Sequence, residues 1–581
     1  MMITKLTQRI ASGLRGQIKS LASVVALSVL TSSASATADL VVINADVRTA
    51  NPAAAQAQAF AVKSGRFLHV GGSREIQPLI GAETKVIDAL GKTVIPGLVD
   101  GHTHLHSAID LVRGVDLYGM PTKADWLEAI AAIDKQLPPD AWILGGRWDY
   151  TLAENGVLPT REDLDAIVPD RPVMLRDIDH HSAWVNSKAL ALAGITKETV
   201  APEGGEIVLD ADTGEPTGIL KETAMALVTQ SNAYSRYTRT LTSGLRDTVR
   251  YVNSMGVTSV HDMADVEAIH NYLGLLEKDQ LSLRVWFGAL SMWNGVSTRE
   301  GVEMEIGNYA KVREQIAERV SLKQGSEDRG PSLQLGYVKV VYDGVLSTYT
   351  AALKAPYSDN PQITGQPFFD QSLLTGVVES AARNGFPVAV HAIGDKSVSQ
   401  TLDTFAAVED AHKYRNRIEH IELVDPADIQ RFKAGNVAAS MQPNHGVVGD
   451  YILDRIGEKR EPHAYAWKQM LTQDVNLVLG SDWPTAILDP LTQLGDAVLR
   501  ERNGKRWQGE NALSFDEALY AYTQAGADMA GWGEQIGSIQ AGKWADFVVL
   551  DGRLPVPLDA SIRARAVQAT YLGGKLVYRV E

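Results

Sequence analysis

"KTVIPGLVDGHTH" (92–104) decides the fold. It is an apolar, β-rich run that ends in polar residues and is followed by helix-like sequence. Seven more runs have the same character, namely "GVTSVHDM" (256–263), "SLRVWFGAL" (282–290), "LQLGYVKVVYDG" (333–344), "FPVAVHAIGD" (386–395), "RIEHIEL" (417–423), "NVAASMQPNH" (436–445) and "VNLVLGSDW" (475–483). Eight strands alternating with helices predict an α/β fold, a (β/α)₈ TIM-like barrel. About 150 residues separate the first run from the second, where a βαβ unit needs only about 30. An insertion after the first barrel strand, roughly 110–240, accounts for the excess. It holds "WILGGRWDY" (142–150) and "RDIDHHSAWVNSKAL" (176–190), both rich in aromatic and polar groups.

Outside the barrel the pattern changes. "ADLVVINADVRTAN" and "AFAVKSGRFLHVGG" alternate apolar with polar and break at Gly and Asn, as short antiparallel strands do. "GSIQAGKWADFVVLDGR" (537–553) and "VQATYLGGKLVYRVE" (567–581) show the same alternation near the other end. We expect one small β-sandwich built from both ends, 39–95 and 536–581, beside a barrel over 96–535. Residues 1–38 read differently again. Lys5, Arg9, Arg15 and Lys19 precede the apolar run "LASVVALSVL" (21–30) and the small residues "SSASATA" (32–38), with no acid among them. That is the pattern of a cleavable signal peptide, with cleavage after Ala36 or Ala38 and a periplasmic or secreted product. A leader that stays attached is the alternative.

The chain has 581 residues, 45% of them hydrophobic, a net charge of −15 and no cysteine. The acidic balance argues against nucleic acid and anionic membranes as partners. No stretch of about 20 apolar residues follows the leader, so no bilayer span is expected. A small-molecule substrate is the expected partner, and homodimer formation is left open. Without cysteine, any metal site must draw on His, Asp, Glu, Lys and water.

Barrel chemistry sits at the C-terminal ends of the strands. Those ends carry His102 and His104 on the first strand, Lys339 on the fourth, His391 on the fifth, His420 on the sixth and Asp482 on the eighth. Histidines two apart on a strand share a face, so His102 and His104 point together, and His106 follows only if the strand continues. HxH alone is weak evidence, because surface histidines also alternate; six groups at equivalent strand positions point to a divalent metal. Nitrogen-rich shells favour zinc over magnesium, and the set suits one or two ions. Lys339 lies on an apolar strand, where burial pushes an ammonium toward the neutral amine. A neutral amine can capture carbon dioxide as a carbamate and so bridge two metals. Pairing with a carboxylate such as Asp343 is the other reading.

These residues resemble the amidohydrolase superfamily, and within it the amidohydrolase family 3 branch that includes N-substituted formamide deformylase-like enzymes. "PGLVDGHTHLH", "HAIGDKSVSQTLDTF", "RIEHIEL", "SMQPNH", "LGSDWP" and "GSIQAGKWADFVVLD" look like its successive signature blocks. "DHHSAWVNSKAL" resembles a further block, with His180 where glycine is usual, and Tyr349 stands where an arginine is expected before "TAAL". The resemblance implies a metal shell of His102, His104, carboxylated Lys339, His391, His420 and Asp482, with a terminal β-sandwich beside the barrel.

The function expected is metal-dependent hydrolysis of a non-peptide carbon–nitrogen bond. A metal-activated hydroxide attacks the carbonyl while Asp482 serves as general base and then general acid. No G-x-S-x-G elbow supports a serine hydrolase. A deaminase, lactonase or carbamate hydrolase could use the same scaffold, as could a non-catalytic secreted binding protein. Trp148, Asp149, His181 and Tyr349 are candidate substrate contacts.

Overall fold

The structure is a computed structural model. It describes residues 37–580 except 139, 150–157, 179–180, 203, 239–241, 293–295, 326–329, 448–450 and 503. The expected signal peptide, save its last two residues, and His180 lie outside the described residues.

Eight strands form one sheet in sequence order. They are β1 (Leu98–Thr103), β2 (Val257–Ala264), β3 (Arg284–Leu290), β4 (Leu333–Val341), β5 (Val388–Ala392), β6 (Arg417–His420), β7 (Ala438–Met441) and β8 (Leu477–Leu479). Every neighbouring pair is parallel. A parallel bridge between Thr103 and Trp483 returns the segment after β8 to the end of β1, so the barrel is nearly closed. β1 and β2 bury every residue. A barrel strand is covered on both faces, which is why these segments read as near-continuous apolar runs.

Two glycines permit the closure. A Cβ at Gly101 would stand 2.4 Å from Val478 Cγ1, and one at Gly480 would stand 2.3 Å from the backbone N of His102. Only hydrogen at both positions lets β1 and β8 approach closely enough to bring Asp482 against His102.

Between β1 and β2 the chain builds a separate six-stranded sheet. Its order is Gly205–Leu209, Pro216–Glu222, Ser182–Val185, Met174–Asp177, Gly145–Trp148, Val115–Asp116. Its own apolar cluster centres on Trp126, Trp148 and Trp184. Trp148 packs 6.2 Å from Trp126 and 6.3 Å from Trp184, and its indole N–H donates to Leu175 O at 3.0 Å.

At the far side of the barrel, Thr93–Pro96 pairs with Asp46–Arg48 on one flank and with Phe547–Leu550 on the other. Val567–Leu572 and Lys575–Arg579 on one side and Gln56–Ala57 on the other extend that sheet to six strands, and four N-terminal strands form a second one. One apolar cluster, including Phe60, Phe67, Phe547 and Tyr571, is shared by residues of both sheets. Phe547 stacks on Tyr571 at 4.4 Å and meets Phe60 edge-on at 5.0 Å; such pairs add about 0.5–1.5 kcal/mol each beyond area burial. A buried bidentate pair, Arg284 to Asp546 at 2.6 and 2.9 Å, ties β3 to this C-terminal segment. Among the described residues, no helix is long and apolar enough to cross a membrane.

Candidate metal centre

Five strand ends bring six groups to one mouth. His102 closes on Asp482, with His102 Nε2 3.2 Å and His104 Nε2 3.4 Å from Asp482 Oδ1. His391 and His420 have ring centroids 4.4 Å apart, and His420 lies 4.7 Å from His102. Lys339, His104, His391, His420 and Asp482 all line one cavity of about 1160 Å³. His106 departs from its two neighbours. The strand stops at Thr103, and His106 turns to Asn271 Nδ2 at 2.9 Å.

Three of the histidines are held by the nitrogen that faces away from this centre. His102 Nδ1–H donates to Glu419 Oε2 at 2.6 Å, His104 Nδ1–H to Met263 O at 2.9 Å, and His420 Nδ1 meets Gln442 Oε1 at 2.8 Å. Hydrogen bonds of this kind fix the tautomer and turn the Nε2 lone pair inward. Glu419 is itself gripped by Arg417 at 2.5 Å, and Arg417 also donates to His261 Nδ1 at 2.8 Å.

The strand pleat alone could not present this set. Glu419 and His420 are consecutive, yet both point to the barrel axis. His420 has φ +75 and Asp482 φ +59. A left-handed residue breaks the alternation of side chains, at a cost of order 1–3 kcal/mol that concentrates at functional sites.

The electrostatics fit metal ligands. His102 Nε2 and Asp482 Oδ1 are buried, and neither makes a well-aligned hydrogen bond. Burial pulls His391 down to about 3, so it stays a neutral donor. Burial opposes ionisation of Asp482, but the positive field of the imidazoles packed against it, His102 foremost, holds its carboxyl well below the usual range. Lys339 is 2% exposed, and burial brings its ammonium down to about 8 against the pull of Glu419 and Asp482. Asp343 does not pair with it. Its carboxylate accepts instead from the backbone N–H groups of Ala352, Ile393 and Gly394 at 2.9, 2.9 and 3.0 Å.

Two residues escaped the sequence reading. His445, at the end of "SMQPNH", places Nε2 3.6 Å from Asp482 Oδ2 and stacks over His420 with centroids 6.0 Å apart. Glu422 lies 3.8 Å from His445 Nδ1, and burial raises its carboxyl to about 8. Ligand atoms of His102, His104 and Asp482, and those of His420, His445 and Asp482, lie within 4.8 Å of one another. Asp482 belongs to both groups. The one signal for His445 was that it closes the seventh quoted run, although the strand itself stops at Met441 and His445 stands on the short helix Pro443–Val447; Glu422 lies beyond its strand end, where no pattern points.

The candidate substrate contacts separate. His181 and Trp148 line the cavity, His181 with Nδ1 3.0 Å from Glu222 Oε1. Tyr349 turns away from it, donating to Asp359 Oδ2 at 3.1 Å beneath the Arg455 guanidinium, while Thr348 and Thr350 face the cavity. Asp149 is not among the described lining residues.

A nearly closed parallel barrel with histidines and an aspartate gathered at its mouth defines the class. The chain belongs to the amidohydrolase family, whose model matches residues 85–578. The resemblance read from "PGLVDGHTHLH" and the blocks after it is thereby confirmed. The chain is 31% identical over 569 residues to "Protein LONG AFTER FAR-RED 3" of Arabidopsis thaliana, covering 94% of this chain and 93% of that one. It is 29% identical over 560 residues to N-substituted formamide deformylase of Arthrobacter pascens, covering 93% and 98%. An uncharacterized metal-dependent hydrolase from Pyrococcus horikoshii OT3 superposes with a TM-score of 0.69 at 25% identity, covering 88% of this chain and 97% of that one.

Proposed function

We propose that the protein is a metal-dependent hydrolase of non-peptide carbon–nitrogen bonds. The observation that carries this reading is the convergence of His102 Nε2 and His104 Nε2 on Asp482 Oδ1 in a buried setting where His102 Nε2 and Asp482 Oδ1 lack aligned hydrogen bonds. Lone pairs so placed suit a cation better than each other. His102, His104, His391, His420, Asp482 and Lys339 would hold one or two divalent ions, with zinc favoured by the imidazole-rich set. Such an ion supplies a polarised carbonyl and an acidified water.

The chain supplies the rest. Lys339, close to neutrality, adds its amine nitrogen to carbon dioxide and loses a proton, giving a carbamate with two oxygen donors. Asp482 accepts the proton of the attacking water and passes it to the departing nitrogen. His445 Nε2 stands 3.6 Å from the other carboxylate oxygen of Asp482. The cavity is large enough for a substrate of drug-like size.

The test is a panel of N-formyl amines, N-acyl amino acids, cyclic amides and lactones, run on protein whose metal content is measured by elemental analysis. Turnover of amides with at least about one equivalent of transition metal is the expected result. Less than about half an equivalent after reconstitution would remove the metal, and lactone turnover without amide turnover would move the bond.

We also propose that the chain is exported and cut after Ala36, with the two flanking sheets forming a β-sandwich that the mature N-terminus helps to close. Ala38 is 4% exposed, its N–H donates to Leu79 O at 2.8 Å, and its carbonyl accepts from Thr84 Oγ1 at 2.6 Å. Cleavage after Ala38 would delete those bonds; cleavage after Ala36 keeps them. N-terminal sequencing of the exported protein should begin at Thr37. An intact Met1 there would overturn export by cleavage.

A further inference from the structure

Beside the metal-facing cavity lies a smaller chamber of about 310 Å³, walled by the segment after β1 and by the inserted sheet. The two spaces share His106, Ser107 and Arg176. Arg176 stands on Met174–Asp177 of the inserted sheet, and its guanidinium makes no hydrogen bond or ion pair with any described residue. Its cationic neighbours on the inserted sheet, Arg147 and Lys221, are engaged. Arg147 holds Asp116 and the carbonyls of Pro484 and Ala486 at 3.1 Å each, and Lys221 reaches Glu206 at 2.9 Å. A half-buried guanidinium left without an acceptor is costly, and its planar fork matches a carboxylate bidentately.

The surroundings set the kind of anion. Asp110, across the chamber, acts on Arg176 through space only, with Tyr234 Oη 3.2 Å from its Oδ2. One cation faced by an acid suits a monoanion and disfavours a dianion such as phosphate. Ile109, Leu144, Met174 and Leu245 make the remaining wall apolar. Sites of this composition, at a seam between two structural units, are common ligand positions.

We propose that this chamber is a subsite for a carboxylate carried by the substrate, bound by Arg176, with the hydrocarbon part of the same molecule against the apolar wall. This rests on the hydrolase reading and narrows its substrate class to amides with an acidic arm. The Asp110 carboxylate offers an acceptor for an N–H on that arm.

The test uses the metal-loaded full chain with N-acetylleucine and its uncharged carboxamide. The wild-type protein should prefer the acid. Arg176→Met should lower kcat/KM for the acid by about 10–100-fold, chiefly through KM, and move the carboxamide by less than about threefold. Arg176→Lys should restore part of the loss. Equal losses on both compounds, or amide turnover with no preference for the acid, would overturn the subsite while leaving the hydrolase intact. Failure to hydrolyse any amide would defeat the hydrolase reading instead. Calorimetric titration with N-acetylleucine then reads the chamber: saturable binding abolished in Arg176→Met supports it, and absence of binding overturns it.

Discussion

Asp482→Asn, fully loaded with metal, should fold as the wild type and lose about 10²–10⁴ in kcat. The backbone has no reason to move. Asp482 sits at φ +59, a left-handed conformation that asparagine adopts more readily than most residues. The loss lies in the proton. In the structure Oδ1 faces His102 and His104 while Oδ2 faces His445 at 3.6 Å, so both oxygens have assigned neighbours. An amide keeps one oxygen acceptor, places an NH₂ group at the other position, and cannot take a proton from water. The deficit should appear in kcat more than in KM, because the proton moves in the transition state. Steady-state kinetics on protein of known metal content decides it. Near-wild-type kcat would remove Asp482 as the proton-transfer group and direct attention to His445 and Glu422.

Lys339→Ala should lose metal and activity together, each by at least about 10²-fold. Lys339 is buried, faces the shared cavity and has no carboxylate within ion-pair distance among the described residues. A structural lysine would be paired or would snorkel to solvent; this one does neither. Removing the side chain leaves space beside the histidines, so formate or acetate in the assay should restore part of both metal content and turnover. Elemental analysis with and without the acid measures this. Full metal and full activity in the alanine variant would take Lys339 out of the shell.

The barrel was legible because its strands are buried on both faces and therefore spell out apolar runs, each stopping where the chain becomes polar. The six groups were legible because barrel chemistry collects at those stops. What the pattern could not convey was local backbone conformation. In "RIEH", strict alternation would send His420 away from Glu419; φ +75 returns it to the axis. The same limit applies to Tyr349, whose φ of +62 accompanies a ring turned toward Asp359 and Arg455. His445 and Arg176 were hidden for another reason. Their surroundings are assembled from segments far apart in sequence; His445 closes its run but stands four residues past the strand end, on a helix, and Arg176 carries no spacing to read.

The strand Thr93–Pro96, which leads directly into β1, pairs with Phe547–Leu550, a partner about 450 residues further along. At 5–20 residues per second, a ribosome needs roughly 20–90 s to supply that partner. Until then the strand that leads into the one carrying His102 has one flank exposed as an unsatisfied edge. The topology thus leaves that edge open until the last segment of the chain is made, and a premature stop that removes 547–579 should yield aggregated chain rather than a shorter active one.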